Sequence, residues 1–127
     1  VIPTQVHAED QLGKGWYPIE GTLRWTSQRA TLTMGGPTAP GQKLHVTAYC
    51  NSVQLQNGPL TMNVTVAGKP LPPAVIRSCD EFELQFDLPA EIVGRPAVEI
   101  GIAADRPSHV PGDDREFGFA FGVFEIK

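Results

Sequence analysis

Residues able to bind a ligand by stacking are concentrated in the stretch GWYPIEGTLRWT, residues 15–26. The stretch contains both tryptophans, Trp16 and Trp25, and one of the two tyrosines, Tyr17; the other tyrosine is Tyr49. Trp and Tyr rings present a flat apolar face, and their N–H and O–H groups form hydrogen bonds at the edge. The stretch therefore indicates either core packing or a surface that contacts a flat, hydroxylated ligand.

The aromatic residues of this stretch are expected to have different surroundings. Trp16 and Tyr17 come just before Pro18, so we expect them on a turn or strand edge, where they can be exposed. The alternative for Trp16 is a loop anchor tucked against the core, because Trp is highly buried on average. Trp25 shares a strand face with Leu23, which favours the core, although a sandwich with an open, concave sheet could expose it.

No set of residues has the spacing of a catalytic site. The chain has no nucleophile elbow, and its three histidines lack the spacing of metal ligands. A glycosidase needs two carboxylates across a cleft, and nothing in the sequence pairs the candidates. These candidates are Glu20, Glu83, Asp87, Glu99 and Asp114. We therefore expect no enzymatic activity.

The composition indicates one globular domain over residues 1–127. Apolar residues make up 41% of the chain, and its 13 Gly and 12 Pro favour many turns rather than long helices. The net charge is −4 with no basic stripe, which argues against nucleic acid and anionic membrane as partners. No apolar run is long enough for a transmembrane segment. Separately, we interpret the chain as a piece of a longer polypeptide.

The two cysteines, Cys50 and Cys79, are expected to form a disulfide. An even number of cysteines in a turn-rich domain is typical of a secreted, extracellular protein. No CxxC pair or Cys–His cluster accompanies them, so a zinc site is not expected. The alternative is two free buried thiols.

Short alternations of apolar and polar residues predict strands, and the turn signals between them favour an all-β fold. The predicted strands cover residues 22–26, 29–34, 43–50, 60–66, 81–88, 97–103 and 117–126. This spacing predicts an antiparallel β-sandwich or jelly roll, with at most one helical turn at residues 89–93. The apolar phase shifts by one residue after Gly122, which predicts a β-bulge there.

Small residues are predicted on one outward face of the late strands. They are Gly101, Ala103, Gly118, Ala120 and Gly122, and the polar residues expected on the same face are Arg24, His45, Tyr49, Asn63 and Gln85. Gly weakens a strand, so a shallow trough of this kind favours close approach of a ligand. The alternatives are a close-packed neighbouring domain or a covering loop.

The opening GWYPIE and RWT motifs, together with PGDDREFGFAFGVFEI near the end, resemble a bacterial β-sandwich domain. Relatives of this kind occur as accessory domains of carbohydrate-active proteins and include modules that bind β-1,4-glucans. The resemblance covers both ends of the chain. It implies a jelly-roll sandwich without catalysis that binds cellulose oligosaccharides, mixed-linkage glucan or xyloglucan. It also implies a covalently linked catalytic domain in the parent protein.

This resemblance, with the residue types, predicts a glucan chain lying along the trough formed by Gly118, Ala120 and Gly122. The side chains predicted to stack on the ligand are Trp16, Tyr17 and Tyr49, with Trp25 undecided. Those predicted to bind hydroxyl groups are Arg24, Gln85 and Arg115, with Asp114 orienting Arg115 through a charge-assisted contact. The alternative function is a protein-binding or spacer domain of a larger cell-surface or glycosyltransferase-linked protein.

A structural calcium ion is a further implication, because sandwiches of this kind often hold one. The sequence shows no calcium loop, but Asp113 and Asp114 could supply oxygen ligands. An Asp after Pro-Gly is more often a turn residue, which is the alternative interpretation.

Overall fold

The computed structural model describes the backbone of residues 1–127, and the side chains of all of them except Val6 and His7. The chain forms an all-β sandwich of two antiparallel sheets, as predicted. The front sheet has the strand order β1 (Arg24–Trp25), β9 (Ala120–Ile126), β3 (Lys43–Cys50) and β7 (Asp80–Asp87). The back sheet has the order β2 (Arg29–Met34), β8 (Val98–Ala104), β4 (Leu60–Val66) and β5 (Lys69–Pro70), and β6 (Ala74–Ile76) also pairs with β4.

The chain also has three short 3-10 helices: Val6–Asp10 precedes β1, and Ser52–Leu55 and Ala90–Ile92 lie between strands. The last of them is the single helical turn predicted at residues 89–93. In the part of the chain that the structure describes, no helix is both long and apolar enough to cross a membrane.

The core lies between the inner faces of the two sheets. On β3, Leu44, Val46 and Ala48 point inward and are at most 1% exposed, while the residues between them are partly exposed. The rings of Phe119, Phe121 and Phe124 fill the centre and are equally buried. Burying an aromatic side chain of this size stabilises a fold by about 1.5–3 kcal/mol. Because apolar residues occupy every second position of a strand, the face that carries them is the face that lies inside.

Most strands begin and end within one residue of the predicted positions, but the last strand is shorter. Residues 117–119 pair with loops: Phe117 exchanges two backbone hydrogen bonds with Ser108, and the segment continues along Thr26. The predicted bulge is confirmed, because the pairing of β3 with β9 passes from Thr47–Val123 to Ala48–Phe121 and leaves Gly122 unpaired. The short strands β5 and β6 were not predicted.

A disulfide joins Cys50, the last residue of β3, to Cys79, just before β7. The two Cα atoms lie 5.1 Å apart. The Cys50 end is fully buried, and Asn51 follows it directly at the start of the Ser52–Leu55 helix. The bond therefore fixes the chain at the end of the front sheet where the candidate site lies.

Candidate functional site

A small pocket of about 170 Å³ opens at this end of the front sheet. Its walls come from the loop before β1, from β1 itself, from the start of the Ser52–Leu55 helix and from the loop before β9. The lining residues are Glu20, Trp25, Asn51, Val110, Asp113, Arg115 and Phe117. We call this cavity the end pocket.

Trp25 provides the aromatic wall of the end pocket. It pairs with Ala120 on β9, and Ala120 pairs with Tyr49 on β3, so the two rings start from strands roughly 10 Å apart. Their centroids are only 5.9 Å apart in an edge-to-face arrangement, because both rings lean over the intervening Ala120. Ala120 is fully buried, and its small side chain is what lets the two rings meet.

This placement resolves the role left open for Trp25. The side chain is half-buried, stands on the outer face of the front sheet and is not part of the buried core cluster. Its edge-to-face contacts with Tyr49 and with Phe117, at a centroid distance of 5.2 Å, hold the ring in position. Trp25 is therefore a pocket residue rather than a core residue.

Arg115 covers the aromatic residues on the other side of the end pocket. Its guanidinium carbon lies 4.8 Å from the ring centroid of Phe117 and 5.1 Å from that of Tyr17, both within the range of a cation–π contact. The two rings touch edge to face at 5.7 Å, and the Tyr17 hydroxyl donates to the carbonyl of Glu116 at 2.6 Å. Tyr17 thus packs against the Arg115 guanidinium and does not itself line the pocket.

Two carboxylates hold the Arg115 guanidinium in place. Its Nε and Nη2 atoms donate to both oxygens of Asp113, at 2.8–3.2 Å, and its Nη1 donates to Glu20 at 2.8 Å. The hydrogen bonds from Arg115 lower the pKa of Asp113 to about 2, and the same bonds raise the pKa of Arg115. Asp113 and Arg115 therefore stay ionised together over the ordinary pH range. We call these two side chains, together with Glu20, the charged triad.

Asn51 contributes a further hydrogen-bonding side chain to the lining of the end pocket. Its Oδ1 accepts from the backbone N–H of Val53 at 3.1 Å, and the Gln54 side chain accepts from the backbone N–H of Asn51 at 2.7 Å. This capping box fixes the start of the Ser52–Leu55 helix. Because Oδ1 is engaged in the cap, the Nδ2 group remains to donate to a ligand.

Chemically, the end pocket combines an aromatic face with a rim of charged and amide groups. Such a site fits a ring that has an apolar face and a border of hydroxyl groups. A volume near 170 Å³ is below the roughly 300–1,000 Å³ of sites for drug-sized ligands, so it fits a single small unit.

The structure does not place Trp16 at this site. Its indole Nε1 donates to the carbonyl of Thr31 at 2.8 Å, and its ring packs edge-on against Phe121 and Phe124. Gly15, with φ +93°, lets the preceding loop approach β2 so closely that a Cβ there would overlap the carbonyl oxygen of Arg29. Trp16 is therefore not the expected stacking platform. It is a loop anchor packed against the core, which was the alternative interpretation.

Arg24 is also placed differently from the prediction. It is only 6% exposed and points toward the core side of the front sheet, so the predicted inward and outward faces of β1 are reversed. Its guanidinium donates to the carbonyls of Tyr17 and Pro3 and forms an ion pair with Glu9. These partners satisfy the buried charge, so Arg24 holds the N-terminal segment to the sheet and is not available to a ligand.

Two further predicted contacts lie outside the end pocket. Gln85 is on the edge strand β7 opposite His45, four residues or roughly 13 Å along the sheet from the row that contains Tyr49. Asp114 is exposed and does not line the pocket. Arg115 is oriented by Asp113, the residue before Asp114, and not by Asp114 itself.

The predicted trough of small residues is divided between the two sheets. Gly118 and Ala120 are buried. A Cβ on Gly118 would lie 2.4 Å from the carbonyl oxygen of Ser27, so the covering-loop alternative applies to Gly118. Ala120 is instead covered by the rings of Trp25 and Tyr49, and Gly122 is partly exposed. Gly101 and Ala103 lie on β8, where they line an open groove of about 570 Å³ on the outer face of the back sheet. None of the described residues that line this groove is aromatic, so it offers no stacking surface.

Asp113 and Asp114 do not fit a calcium site. Both oxygens of Asp113 accept hydrogen bonds from Arg115, whose positive charge lies where a cation would have to bind. Among the residues whose side chains are described, no three His, Cys, Asp or Glu side chains cluster closely enough to hold a metal ion.

Of the lining residues, Asp113 was predicted from the sequence only as a calcium ligand, and four more were given no ligand role. They are Glu20, Asn51, Val110 and Phe117. Asn51 was detectable as a helix cap, since Asn followed three positions later by Gln is a capping-box pattern. The other three reach the pocket only through the folding of two distant loops.

No protein-family model matches the chain, and no curated protein matches its sequence. Among solved structures, the chain is similar to the native structure of a family 35 carbohydrate-binding module from Clostridium thermocellum. The TM-score is 0.50 and the sequence identity is 10%, over 94% of this chain and 92% of the other. At this identity the similarity concerns the fold, and it agrees with the sandwich that the sequence resemblance implies.

Proposed function

We propose that this chain is a non-catalytic carbohydrate-binding domain that holds one sugar ring in the end pocket. The observation that carries the proposal is the position of Trp25, half-buried at the pocket wall and fixed by two neighbouring rings. The apolar C–H face of a sugar stacks on such a ring, and hydroxyl groups bind carboxylate, guanidinium and amide groups like those of the rim. The carbohydrate-binding module of similar fold supports the same class of ligand.

We further propose that the ring belongs to a plant-type β-1,4-linked glucan such as a cellulose oligosaccharide, mixed-linkage glucan or xyloglucan. The support for this narrower ligand is the sequence resemblance. The size of the end pocket favours a chain end or a single side branch rather than a chain lying along a strand face. This changes the mode of binding inferred from the sequence, because Gly118 and Ala120 of the predicted trough are buried.

In the proposed role, the domain brings a covalently linked catalytic domain to its polysaccharide outside the cell. The Cys50–Cys79 disulfide supports this location, since such bonds persist in oxidising compartments. The charged triad does not support catalysis by the pocket itself. Glu20 and Asp113 both bind Arg115 from one side, whereas a glycosidase places its two carboxyl groups across the scissile bond.

The test compares the unmodified protein with Trp25→Ala and with Val75→Ala as a control. Val75 is 51% exposed on β6 of the back sheet and does not line the end pocket. Affinity electrophoresis against a panel of soluble polysaccharides identifies the ligand, and isothermal titration with cellopentaose measures binding of a glucan chain. We expect Trp25→Ala to weaken binding by about 1–3 kcal/mol, the range found for bases stacked on aromatic side chains, and Val75→Ala to leave it unchanged.

The near-UV circular dichroism of Trp25→Ala confirms that the variant is folded. Unchanged affinity in a folded Trp25→Ala variant would show that the end pocket is not the binding site. If no polysaccharide of the panel is retained by the unmodified protein, the protein-binding or spacer function replaces the proposed one.

A further inference from the structure

We infer that the end pocket discriminates against carboxylated sugars and that its occupant is an uncharged hexose unit. The inference rests on the proposed function and names the ligand class of the same site. Three observations carry it: the charge balance of the charged triad, the way its hydrogen-bonding groups are already used, and the charges beside it.

The charged triad carries one net negative charge. Arg115 is the only cation among the described residues that line the end pocket, and it faces the carboxylates of Glu20 and Asp113. An added carboxylate would therefore meet two carboxylates and one guanidinium. Two like charges at close range in a partly desolvated site repel strongly enough to outweigh a single hydrogen bond.

The guanidinium of Arg115 is not free to form a bidentate pair with a ligand carboxylate. Recognition of a carboxylate by Arg typically uses two parallel N–H groups. In this structure Nε and Nη2 of Arg115 donate to Asp113, which occupies one edge of the fork. Nη1, which belongs to the other edge, donates to Glu20. A carboxylated sugar would have to displace Asp113 or Glu20 to reach it.

The groups that remain suit hydroxyls. The unused lone pairs of the Glu20 and Asp113 carboxylates accept O–H donors, and the Nδ2 group of Asn51 donates to hydroxyl oxygens. A sugar hydroxyl both donates and accepts, so it binds either kind of group without bringing a charge. The rim of the end pocket is therefore complementary to a neutral ring.

Charges outside the pocket act in the same direction. Asp114 and Glu116 are exposed on either side of Arg115 in the chain, and the whole chain carries a net charge of −4. Both effects lower the local concentration of an anionic ligand, and they weaken as salt screens them.

The experiment uses two pairs of methyl glycosides, the β-glucoside with the β-glucuronide and the β-galactoside with the β-galacturonide. Chemical-shift titration of the whole chain gives the dissociation constant of each probe at low and at high salt. We expect the uronide of the binding pair to bind at least about tenfold more weakly at low salt, and the difference to shrink at ~1 M salt. A uronide that binds as tightly as its neutral partner overturns the inference.

The variant Glu20→Gln tests whether the charge of the triad causes the discrimination. It keeps the shape and hydrogen-bonding capacity of a side chain that is half exposed, so the protein should fold. We expect the uronide-to-neutral ratio of dissociation constants to fall several-fold toward one. The control Glu99→Gln removes a carboxylate from the exposed outer face of the back sheet and should leave this ratio unchanged.

An unchanged ratio in Glu20→Gln also contradicts the inference. Binding of none of the four glycosides also contradicts the inference, because the end pocket would then hold no single uncharged hexose unit. Retention of no polysaccharide of the panel contradicts the proposed function instead. The failure of the inference and the failure of the proposed function are thus told apart.

Discussion

Trp16 and Trp25 show how the same residue type takes opposite roles in one short stretch. The indole N–H of Trp16 is bonded to the Thr31 carbonyl and its ring closes the edge of the core. Trp25 stands on the outer face of the front sheet. Strand alternation separates residues by face, but it does not say which face of a two-residue strand is inside. That choice depends on the N-terminal segment, because the inward-pointing Arg24 side chain binds the carbonyl of Pro3 and the carboxylate of Glu9.

We predict that Trp16→Ala lowers the free energy of unfolding by about 3 kcal/mol, the lower end of the range for removing a large aromatic residue from a core. The ring is only partly buried, but it seals Phe121 and Phe124 from solvent. Urea unfolding measures the change. Trp16→Phe is the matched control: it keeps an aromatic ring and should lose about 1 kcal/mol, because the Thr31 carbonyl loses its donor. A loss below about 1 kcal/mol in Trp16→Ala would argue that the ring is not a core anchor.

At the scale of the elements, the strands were predictable and their covering loops were not. The alternation in β2, β3 and β4 is local, because every second side chain enters the core. The bulge at Gly122 left a phase shift that can be read in the sequence. The pairing of Phe117 with Ser108, and of Gly118 with Thr26, leaves no such local trace, since it depends on two loops meeting in space.

The glycines of the final segment provide a test of this arrangement. A Cβ on Gly118 would lie 2.4 Å from the backbone oxygen of Ser27, which has little room to move, whereas the nearest atom to a Cβ on Gly122 is a methyl group of Leu23 at 3.4 Å. We predict that Gly118→Ala destabilises the fold by about 1–3 kcal/mol through overpacking, and that Gly122→Ala changes stability by less than about 1 kcal/mol. Thermal unfolding of the two variants compares them directly, and equal melting temperatures would contradict the close contact with Ser27.

At the scale of the whole molecule, the end pocket combines residues from three separate parts of the chain. Glu20 and Trp25 come from one, Asn51 from the second, and Asp113 and Arg115 from the third. From the sequence, Trp25 and Arg115 could be nominated because their chemistry suits a ligand. The distances between the three segments are set by the sandwich, so the pocket itself could not be derived from spacing along the chain.

The disulfide is expected to stabilise this assembly. Closing a loop across a sequence separation of 29 stabilises the fold by about 3.6 kcal/mol on the loop-entropy account. We predict that the double variant Cys50→Ala, Cys79→Ala loses a comparable amount in urea unfolding, and that reductant lowers the stability of the unmodified protein only. Thiol titration of the unfolded, unreduced protein should detect no free thiol. Two free thiols per chain would contradict the bond.

The environments of the two tryptophans also make the protein its own optical probe. The Trp16 indole is fixed by a hydrogen bond at the core edge, so its emission follows the integrity of the sandwich. Trp25 borders the end pocket with its ring half-buried, so an occupant that removes water from that ring shifts its emission to shorter wavelength. With Trp16 replaced by Phe, the remaining signal comes from Trp25 alone, and occupancy of the pocket becomes visible by fluorescence without any attached dye.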